Sequence, residues 1–459
     1  MDPPGHGSSA TATPLGAADG TPLSYAAAAL AGRRTNVRWV ICALLLFATT
    51  INYLDRQVLG LLAPQLTSEF AWTERQYSVI VFSFQLAYMV GLLVVGRLLD
   101  AVGTRLGYGL SALVWSLASM AHALAGSWQT FSVARLALGL SEAANFPAAI
   151  KATAEWFPKK ERALAAGIFN AGSNIGIIVA ALCVPFIAVS MGWRWAFILT
   201  GLPGVVFFIF WMAMYRRPQE HRGVSPAELA HIESDPPDPP GHVRWARLVP
   251  LRQTWVFALG KFLTDPVWWF FLFWLPKYFS TTYGVQLTGL VLPIVIIYVA
   301  ADVGSIGGGW LSSALIKRGF TVNFSRKLTM LICAAGAAPM VFASYIDNMW
   351  VIVGIVSLAA AAHQGWSANL YTLVSDSFPR RAVGSVVGLG GMFGALSGMI
   401  ASLTIGHVLD ALKGNYVPIL TVAGFMYLIT LLLIHLLSPR LAPAALDEPP
   451  PDARANPND

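Results

Sequence analysis

The chain has 459 residues, of which 56% are hydrophobic and only 12% are charged. Soluble domains carry about twice that share of charged residues, so the composition excludes a soluble protein. Apolar runs of about 20 residues, the length of helix that crosses a bilayer, recur between Trp39 and Leu437. The runs are continuously apolar and do not alternate, which favours helices over a membrane β-barrel. The sequence therefore predicts an all-α membrane protein.

Twelve transmembrane helices are predicted in two pseudo-symmetric six-helix halves. The predicted spans in chain order are 38–60, 77–97, 106–125, 129–151, 163–189, 194–215, 254–279, 289–314, 327–345, 349–374, 382–410 and 417–437. The chain divides into a disordered N-terminus 1–36, an N-terminal half 37–216, a central loop 217–253, a C-terminal half 254–437 and a disordered tail 438–459. The central loop is marked by a charged stretch followed by DPPDPPG.

Most of the 30 Lys and Arg residues fall in segments that share one side of the membrane with the N-terminus. Positive residues accumulate in cytoplasmic loops, so both termini are predicted to be cytoplasmic. The net charge of +7 then follows from topology, and no nucleic-acid partner is predicted.

A loop motif of the form G-x-x-x-D-x-x-G-x-R joins the second and third spans. Its residues are Gly96, Asp100, Gly103 and Arg105. A weaker copy follows the eighth span at 309–319, and FPKK at 157–160 is echoed by FPRR at 378–381. These echoes indicate parallel six-span repeats. The loop resembles the signature loop of the major facilitator superfamily, in which it acts as a conformational latch; by itself it could also be a tight turn with solvated charges.

Four longer segments resemble the anion:cation symporter family, and within it the bacterial hexuronate transporters, which take up galacturonate and glucuronate. They are INYLDRQ at 51–57, RLALGLSEAANFP at 135–147, KFLTDPVWWFFLFWLPKYF at 261–279 and the segment 363–394. The resemblance implies a major facilitator fold in the bacterial inner (plasma) membrane. It implies proton-coupled import of a small organic anion, a sugar acid, by alternating access. A functional monomer without a cofactor is expected.

Ionisable residues inside a bilayer span cost several kcal/mol unless they are paired or hydrated, so each one is a functional candidate. Asp55 and Arg56 are adjacent in the first span, and Arg135 and Glu142 share one face of the fourth. A guanidinium donates two parallel hydrogen bonds to a carboxylate, so Arg56 and Arg135 are predicted to bind the substrate carboxylate. Asp55 and Glu142 are predicted to couple protons. The alternative is that Asp55 with Arg135, or Arg56 with Glu142, forms a static buried ion pair.

Further candidates surround this set. The other predicted substrate-binding residues are Tyr53, Tyr88, Asn170, Asn174, Gln364, Trp366 and Asn369. The two tyrosines match positions that the resemblance implies, whereas the amides of Asn170 and Asn174 could equally serve helix packing. His363 lies fifteen residues before Phe378, as Glu142 lies fifteen before Phe157, and it is predicted to assist proton coupling or to be a structural hydrogen-bonded histidine.

Small residues and one charged pair complete the intramembrane pattern. Lys261 and Asp265 are one turn apart and are predicted to pair. Two glycine faces are predicted to allow close packing and sliding between the halves. They are formed by Gly172 with Gly176, and by Gly390, Gly394 and Gly398.

No enzyme motif is found: H-E-x-x-H, G-x-S-x-G, a Walker loop and Cys/His metal spacing are all missing, so neither an enzyme nor a metal site is predicted. The cysteines Cys42, Cys183 and Cys333 lie inside apolar spans, so no disulfide framework is predicted. A polytopic membrane enzyme and a nutrient sensor are the alternatives from other classes. Within transport, an aldonate, glucarate or aromatic acid substrate and an export direction stay open.

Overall fold

The computed structural model describes residues 35–234, 245–378, 380–442, 444 and 446, and this part of the chain is helical without strands. Its helices are α1 (Val37–Glu69), α2 (Glu74–Val102), α3 (Thr104–Ala121), α4 (Trp128–Glu142), α5 (Asn145–Trp156), α6 (Lys159–Met191), α7 (Trp193–Met214), α8 (Pro226–Ile232), α9 (Trp245–Leu248), α10 (Arg252–Phe273), α11 (Leu275–Tyr283), α12 (Val291–Lys317), α13 (Val322–Ala337), α14 (Met349–Ser377), α15 (Arg380–Ala411) and α16 (Val417–Leu437). Short 3-10 turns lie at His122–Leu124, Pro218–Glu220, Leu287–Leu290 and Ala338–Tyr345. The all-α prediction is confirmed. The predicted disordered ends lie almost entirely outside the described residues.

Ten segments of the described chain are long and apolar enough to cross a membrane. The third and fourth predicted spans are helical but are not among these ten. The fourth predicted span is divided into two helices, because α4 ends at Glu142 and α5 begins at Asn145. Pro147 has no backbone N–H to offer the carbonyl of Ala143, which interrupts the helix at that point. Pro276 separates α10 from α11 in the same way.

The glycine face of α6 packs against α1. A methyl group on Gly172 would lie 2.6 Å from the carbonyl oxygen of Leu46, and one on Gly176 would collide with that of Thr50. On α15, methyl groups on Gly390, Gly394 and Gly398 would collide with side chains of α10. Each face therefore packs inside one half, and the prediction that these faces slide between the halves is wrong. Small residues are needed there because the helices approach at backbone distance.

The two halves meet at the end of the bundle opposite the termini, which we call the far end. The carboxylate of Asp410 on α15 accepts hydrogen bonds from the backbone N–H groups of Glu74 (3.0 Å) and Arg75 (2.9 Å). A helix N-terminus carries partial positive charge, so an anion from one half caps α2 of the other. Lys277 adds an ion pair to Glu74 at 2.8 Å, and Tyr77 donates to the carbonyl of Phe273 at 2.6 Å.

The opposite end of the bundle, where α1 begins and α16 ends, is called the terminal end. Gly167 and Gly388 lie towards this end, each ten residues after the Phe of the repeated FP motif. A methyl group on either would meet nothing within 4 Å. Hydrogen bonds and an ion pair thus join the halves at the far end, whereas Gly167 and Gly388 are exposed at equivalent positions nearer the terminal end.

The central loop is anchored to the N-terminal half through helix α8. Glu228 accepts from Arg38 Nη1 at 3.0 Å and from the backbone N–H of Val37 at 3.2 Å. Glu161 at the start of α6 accepts from Arg38 Nε at 3.0 Å, and His231 Nε2 lies 2.8 Å from it. Although burial raises the pKa of Glu161, hydrogen bonds from His231 and Arg38 hold that pKa below its ordinary value.

We predict opposite responses to the same substitution at two glycines of α6. Gly176→Ala forces α6 away from α1 and lowers the stability of the protein by about 1–3 kcal/mol. Gly167→Ala adds a methyl group in open space and gains up to about 1 kcal/mol of helix propensity. Thermal unfolding of the detergent-purified variants measures both effects. Equal melting temperatures for the two variants would contradict the packing described here.

Candidate functional site

Arg56 of α1 and Glu142 of α4 form a buried ion pair at the centre of the N-terminal half. Arg56 Nε and Nη2 each lie 2.9 Å from Glu142 Oε2, and Nη2 also donates to Asn52 Oδ1 at 3.2 Å. Glu142 is fully buried and Arg56 is 2% exposed. Glu142 is the last residue of α4, so the helix break set by Pro147 follows directly after the carboxylate.

Aromatic rings surround the Arg56 guanidinium; we call them the aromatic box. The ring centroids of Tyr53, Tyr88, Phe84 and Trp269 lie 4.6, 4.8, 5.2 and 6.0 Å from its central carbon. Ring faces attract a cation at these distances, most strongly where water is excluded. Three rings come from the N-terminal half, and Trp269 comes from α10 of the C-terminal half. The site is therefore shared between the halves.

Arg135 of α4 lies beside this pair with poorly satisfied donors. Its Nη1 and Nη2 lie 3.4 and 3.5 Å from the backbone oxygen of Arg56, and its side chain is fully buried. Its Nε has no hydrogen-bond partner within the described part of the chain, and the same holds for Glu142 Oε1. A buried guanidinium with unmet donors is suited to receive an anionic ligand.

Asp55 is not ion-paired with Arg56 or Arg135 among the described residues, although it lies within electrostatic range of Glu142 and Arg135. Its Oδ1 accepts from Ser119 Oγ of α3 at 2.9 Å, and the side chain is fully buried. Successive residues on a helix point about 100° apart, so adjacency to Arg56 does not bring Asp55 to the same face. Of the two static pairs considered, the structure contains Arg56 with Glu142, and the described ion pairs do not include Asp55 with Arg135.

The predicted polar residues on α6 and the predicted histidine lie outside the aromatic box. Asn174 donates to Asp302 of α12 across the interface between the halves, whereas Asn170 is exposed. His363 Nδ1 lies 2.7 Å from the Tyr427 hydroxyl, and its ring stacks on Trp268 at 5.0 Å.

Trp366 and Asn369 lie in helix packing. The Asn369 amide donates to the carbonyls of Gly308 (3.0 Å) and Gly365 (2.9 Å), which joins α14 to α12. Trp366 is fully buried against Tyr427 at 5.5 Å between ring centroids. Trp366 Nε1 and Asn369 Oδ1 have no hydrogen-bond partner within the described residues, so their predicted substrate contacts stay a prediction. Gln364 is half-buried on the same helix.

The signature loop is held inside the N-terminal half. Gly103 connects α2 to α3 with a φ of +84°, a conformation that favours glycine. Arg105 donates to the carbonyl of Met212 on α7, and a methyl group on Gly96 would meet nothing within 4 Å. The side chain of Asp100 lies outside the described residues.

The profile of the Major Facilitator Superfamily matches residues 45–402. The chain belongs to this superfamily. It is 34% identical over 409 residues to the hexuronate transporter of Escherichia coli (strain K12), covering 87% of this chain and 93% of the relative. It is also 34% identical over 306 residues to a galacturonate transporter of Dickeya chrysanthemi, covering 65% of this chain and 88% of the relative. The crystal structure of a D-xylose-proton symporter superposes with a TM-score of 0.66 at 17% identity, covering 87% and 97% of the two chains.

Membership of the major facilitator superfamily makes the chain a multi-pass membrane transporter and not an enzyme. The two-half helical fold inferred from the sequence is confirmed by the structural likeness. Bacterial relatives of this kind also agree with a location in the inner membrane.

Three side chains of this transporter were missed by the sequence reasoning. Asp302 is a carboxylate inside an apolar run, and the criterion applied to Asp55 would have found it. Phe84 and Trp269 lie among many aromatic residues, and only the fold shows that they face Arg56.

We predict that Glu142→Leu destabilises the protein by about 3–5 kcal/mol, because it leaves the Arg56 charge buried without its partner. The double variant Arg56→Met/Glu142→Leu replaces the pair with apolar groups and regains most of that loss. Thermal unfolding in detergent compares the two variants with wild type. If the double variant is less stable than Glu142→Leu, the unpaired charge of Arg56 is not what destabilises Glu142→Leu.

Proposed function

We propose that this transporter imports a hexuronate, such as galacturonate or glucuronate, together with protons. The observation that carries the proposal is a buried guanidinium whose partner carboxylate, Glu142, is itself titratable and stands at a helix break. The relatives named as hexuronate and galacturonate transporters supply the substrate class.

Glu142 and the substrate compete for the same guanidinium. When Glu142 takes up a proton it loses its charge, and its hold on Arg56 weakens. The carboxylate of the substrate then takes its place with two parallel hydrogen bonds, so Arg56 stays paired throughout. Protonation thereby raises affinity for the anion, and anion binding raises affinity for the proton by the same factor.

Arg135 and the aromatic box complete the binding site. Arg135 offers its unpartnered Nε to the second oxygen of the incoming carboxylate. Tyr53 and Tyr88 hold the Arg56 guanidinium between ring faces, and their hydroxyl groups serve the sugar hydroxyls. Trp269 brings the C-terminal half into contact with the same cation, so rocking of the halves changes the site.

Asp55 supplies a second proton site. Only one of its oxygens is satisfied, by Ser119, and the other has no partner within the described residues. One proton per monoanion moves no net charge, whereas two protons add about 2.3 kcal/mol of driving force per 100 mV of membrane potential. Inward current on addition of substrate would accompany the two-proton mode.

The distribution of Lys and Arg residues orients the two ends of the bundle in the membrane. With both termini in the cytoplasm, as this distribution favours, Gly167 and Gly388 lie nearer the cytoplasm and the Asp410 cap closes the periplasmic side. Opening to the periplasm requires that cap to break, and the Gly96–Arg105 loop then latches the cytoplasmic side.

We expect a green fluorescent protein fused after Asp459 to fluoresce, and alkaline phosphatase fused at the same point to be inactive. Fusions after Gly414, in the turn between α15 and α16, give the reverse pattern because one more span has not yet been crossed. The predicted orientation is wrong if alkaline phosphatase is active after Asp459 and green fluorescent protein fluoresces after Gly414.

In proteoliposomes with an inward proton gradient, wild type is expected to accumulate galacturonate and Arg56→Ala to bind none. Glu142→Gln keeps exchange of labelled for unlabelled substrate but loses accumulation, because its amide cannot take up and release a proton. Galactonate, glucarate, phthalate and benzoate are the competing substrates. Full accumulation by Glu142→Gln removes Glu142 from coupling, and uptake of only a competitor reassigns the substrate.

A further inference from the structure

The C-terminal half contains its own buried ion pair on α10. Lys261 Nζ lies 2.8 Å from Asp265 Oδ2, and the two residues are one helical turn apart. Their side chains are 11% and 15% exposed, so each reaches the edge of accessible space, unlike Glu142, which is fully buried. Charges in a membrane span are retained at a cost of several kcal/mol, which favours a functional role over packing alone.

The Lys261–Asp265 pair packs against Gly394 of α15. A methyl group at Gly394 would collide with Asp265 Oδ2 and lie 3.4 Å from Lys261 Cε. The neighbouring glycine one turn on, Gly398, accommodates Trp269 in the same way. The glycine face of α15 therefore sets the positions of both the ion pair and the box residue Trp269.

Two tyrosines connect this pair to the aromatic box. Lys261 Nζ lies 5.2 Å from the ring centroid of Tyr371, which is 41% exposed on α14. Tyr371 is close enough to interact electrostatically with both Lys261 and Tyr53. Tyr53 covers the Arg56 guanidinium and Tyr371 lies beside Lys261, so the line of groups from Arg56 through these tyrosines to Lys261 crosses from one half to the other.

We propose that the Lys261–Asp265 pair binds the hydroxyl end of the substrate whose carboxylate is held by Arg56; this rests on the function proposed above. The Lys261 ammonium donates to one hydroxyl, and Asp265 accepts from its neighbour, which matches a vicinal diol. The pair is neutral as a unit, so it gives a second carboxylate no net attraction. Asp265 repels such a group at close range. The site thereby selects polyhydroxy monocarboxylates over dicarboxylates of the same length.

The test is uptake of galacturonate against galactarate, its dicarboxylate counterpart, by wild type and Asp265→Asn in proteoliposomes. The variant leaves Lys261 charged and without its carboxylate partner. We expect the galactarate-to-galacturonate uptake ratio to rise about tenfold or more, since like-charge juxtaposition costs several kcal/mol. Asp376→Asn is the matched control, because Asp376 pairs with Arg326 in the same half at 3.0 Å, outside this line of groups. Its ratio stays at the wild-type value.

A second variant separates recognition from structure. Lys261→Asp/Asp265→Lys keeps an ion pair on α10 but exchanges donor and acceptor, so recognition requires the ratio to change. A merely structural pair keeps the wild-type ratio in both variants, and that result would falsify the proposal. If Asp265→Asn does not fold, the exchanged pair decides alone. Failure of wild type to transport either acid overturns the proposed function, whereas normal galacturonate uptake with an unmoved ratio overturns only the assignment of this pair.

Discussion

The central constraint of this molecule is a guanidinium that has been taken out of water. Arg56 cannot shed its charge, so the bundle has to supply a carboxylate, and it does so through Glu142 at 2.9 Å. That requirement organises the surroundings: the helix break before Asn145 follows Glu142 directly, and four rings cover the remaining faces of the cation. An anionic ligand that replaced Glu142 would leave the Arg56 charge paired.

The same constraint links binding to motion. Trp269 belongs to α10, whereas Arg56 and Glu142 belong to the other half, so the box is complete only in certain arrangements of the halves. In the arrangement described here, the far end is closed by Asp410 on the N-terminus of α2. A ligand shifts such an equilibrium only by its difference in affinity between the two arrangements, and a site lined from both halves provides that difference.

Much of this could be predicted from residues alone, because a charge in an apolar run is conspicuous. Arg56, Arg135 and Glu142 were found in that way, and so was the Lys261–Asp265 pair. The break after Glu142 was also predictable, since Pro147 removes one backbone donor. The hydrogen bond from Ser119 to Asp55 was not, because the sequence does not show which helix becomes the neighbour of α1 on that face. Nor were the partners of the glycine faces, which depend on which helices become neighbours.

The two residues of one buried ion pair lie on separate helices, whereas those of the other lie on a single helix. This difference suits the pairs to different tasks. Arg56 and Glu142 stand on separate helices, α1 and α4, so small shifts of one helix against the other change their separation. Lys261 and Asp265 stand one turn apart on a single helix, so shifts of α10 against its neighbours leave their backbone separation unchanged. A pair that can separate is suited to exchange one carboxylate for another. A pair of fixed spacing is suited to recognise the shape of the bound ligand.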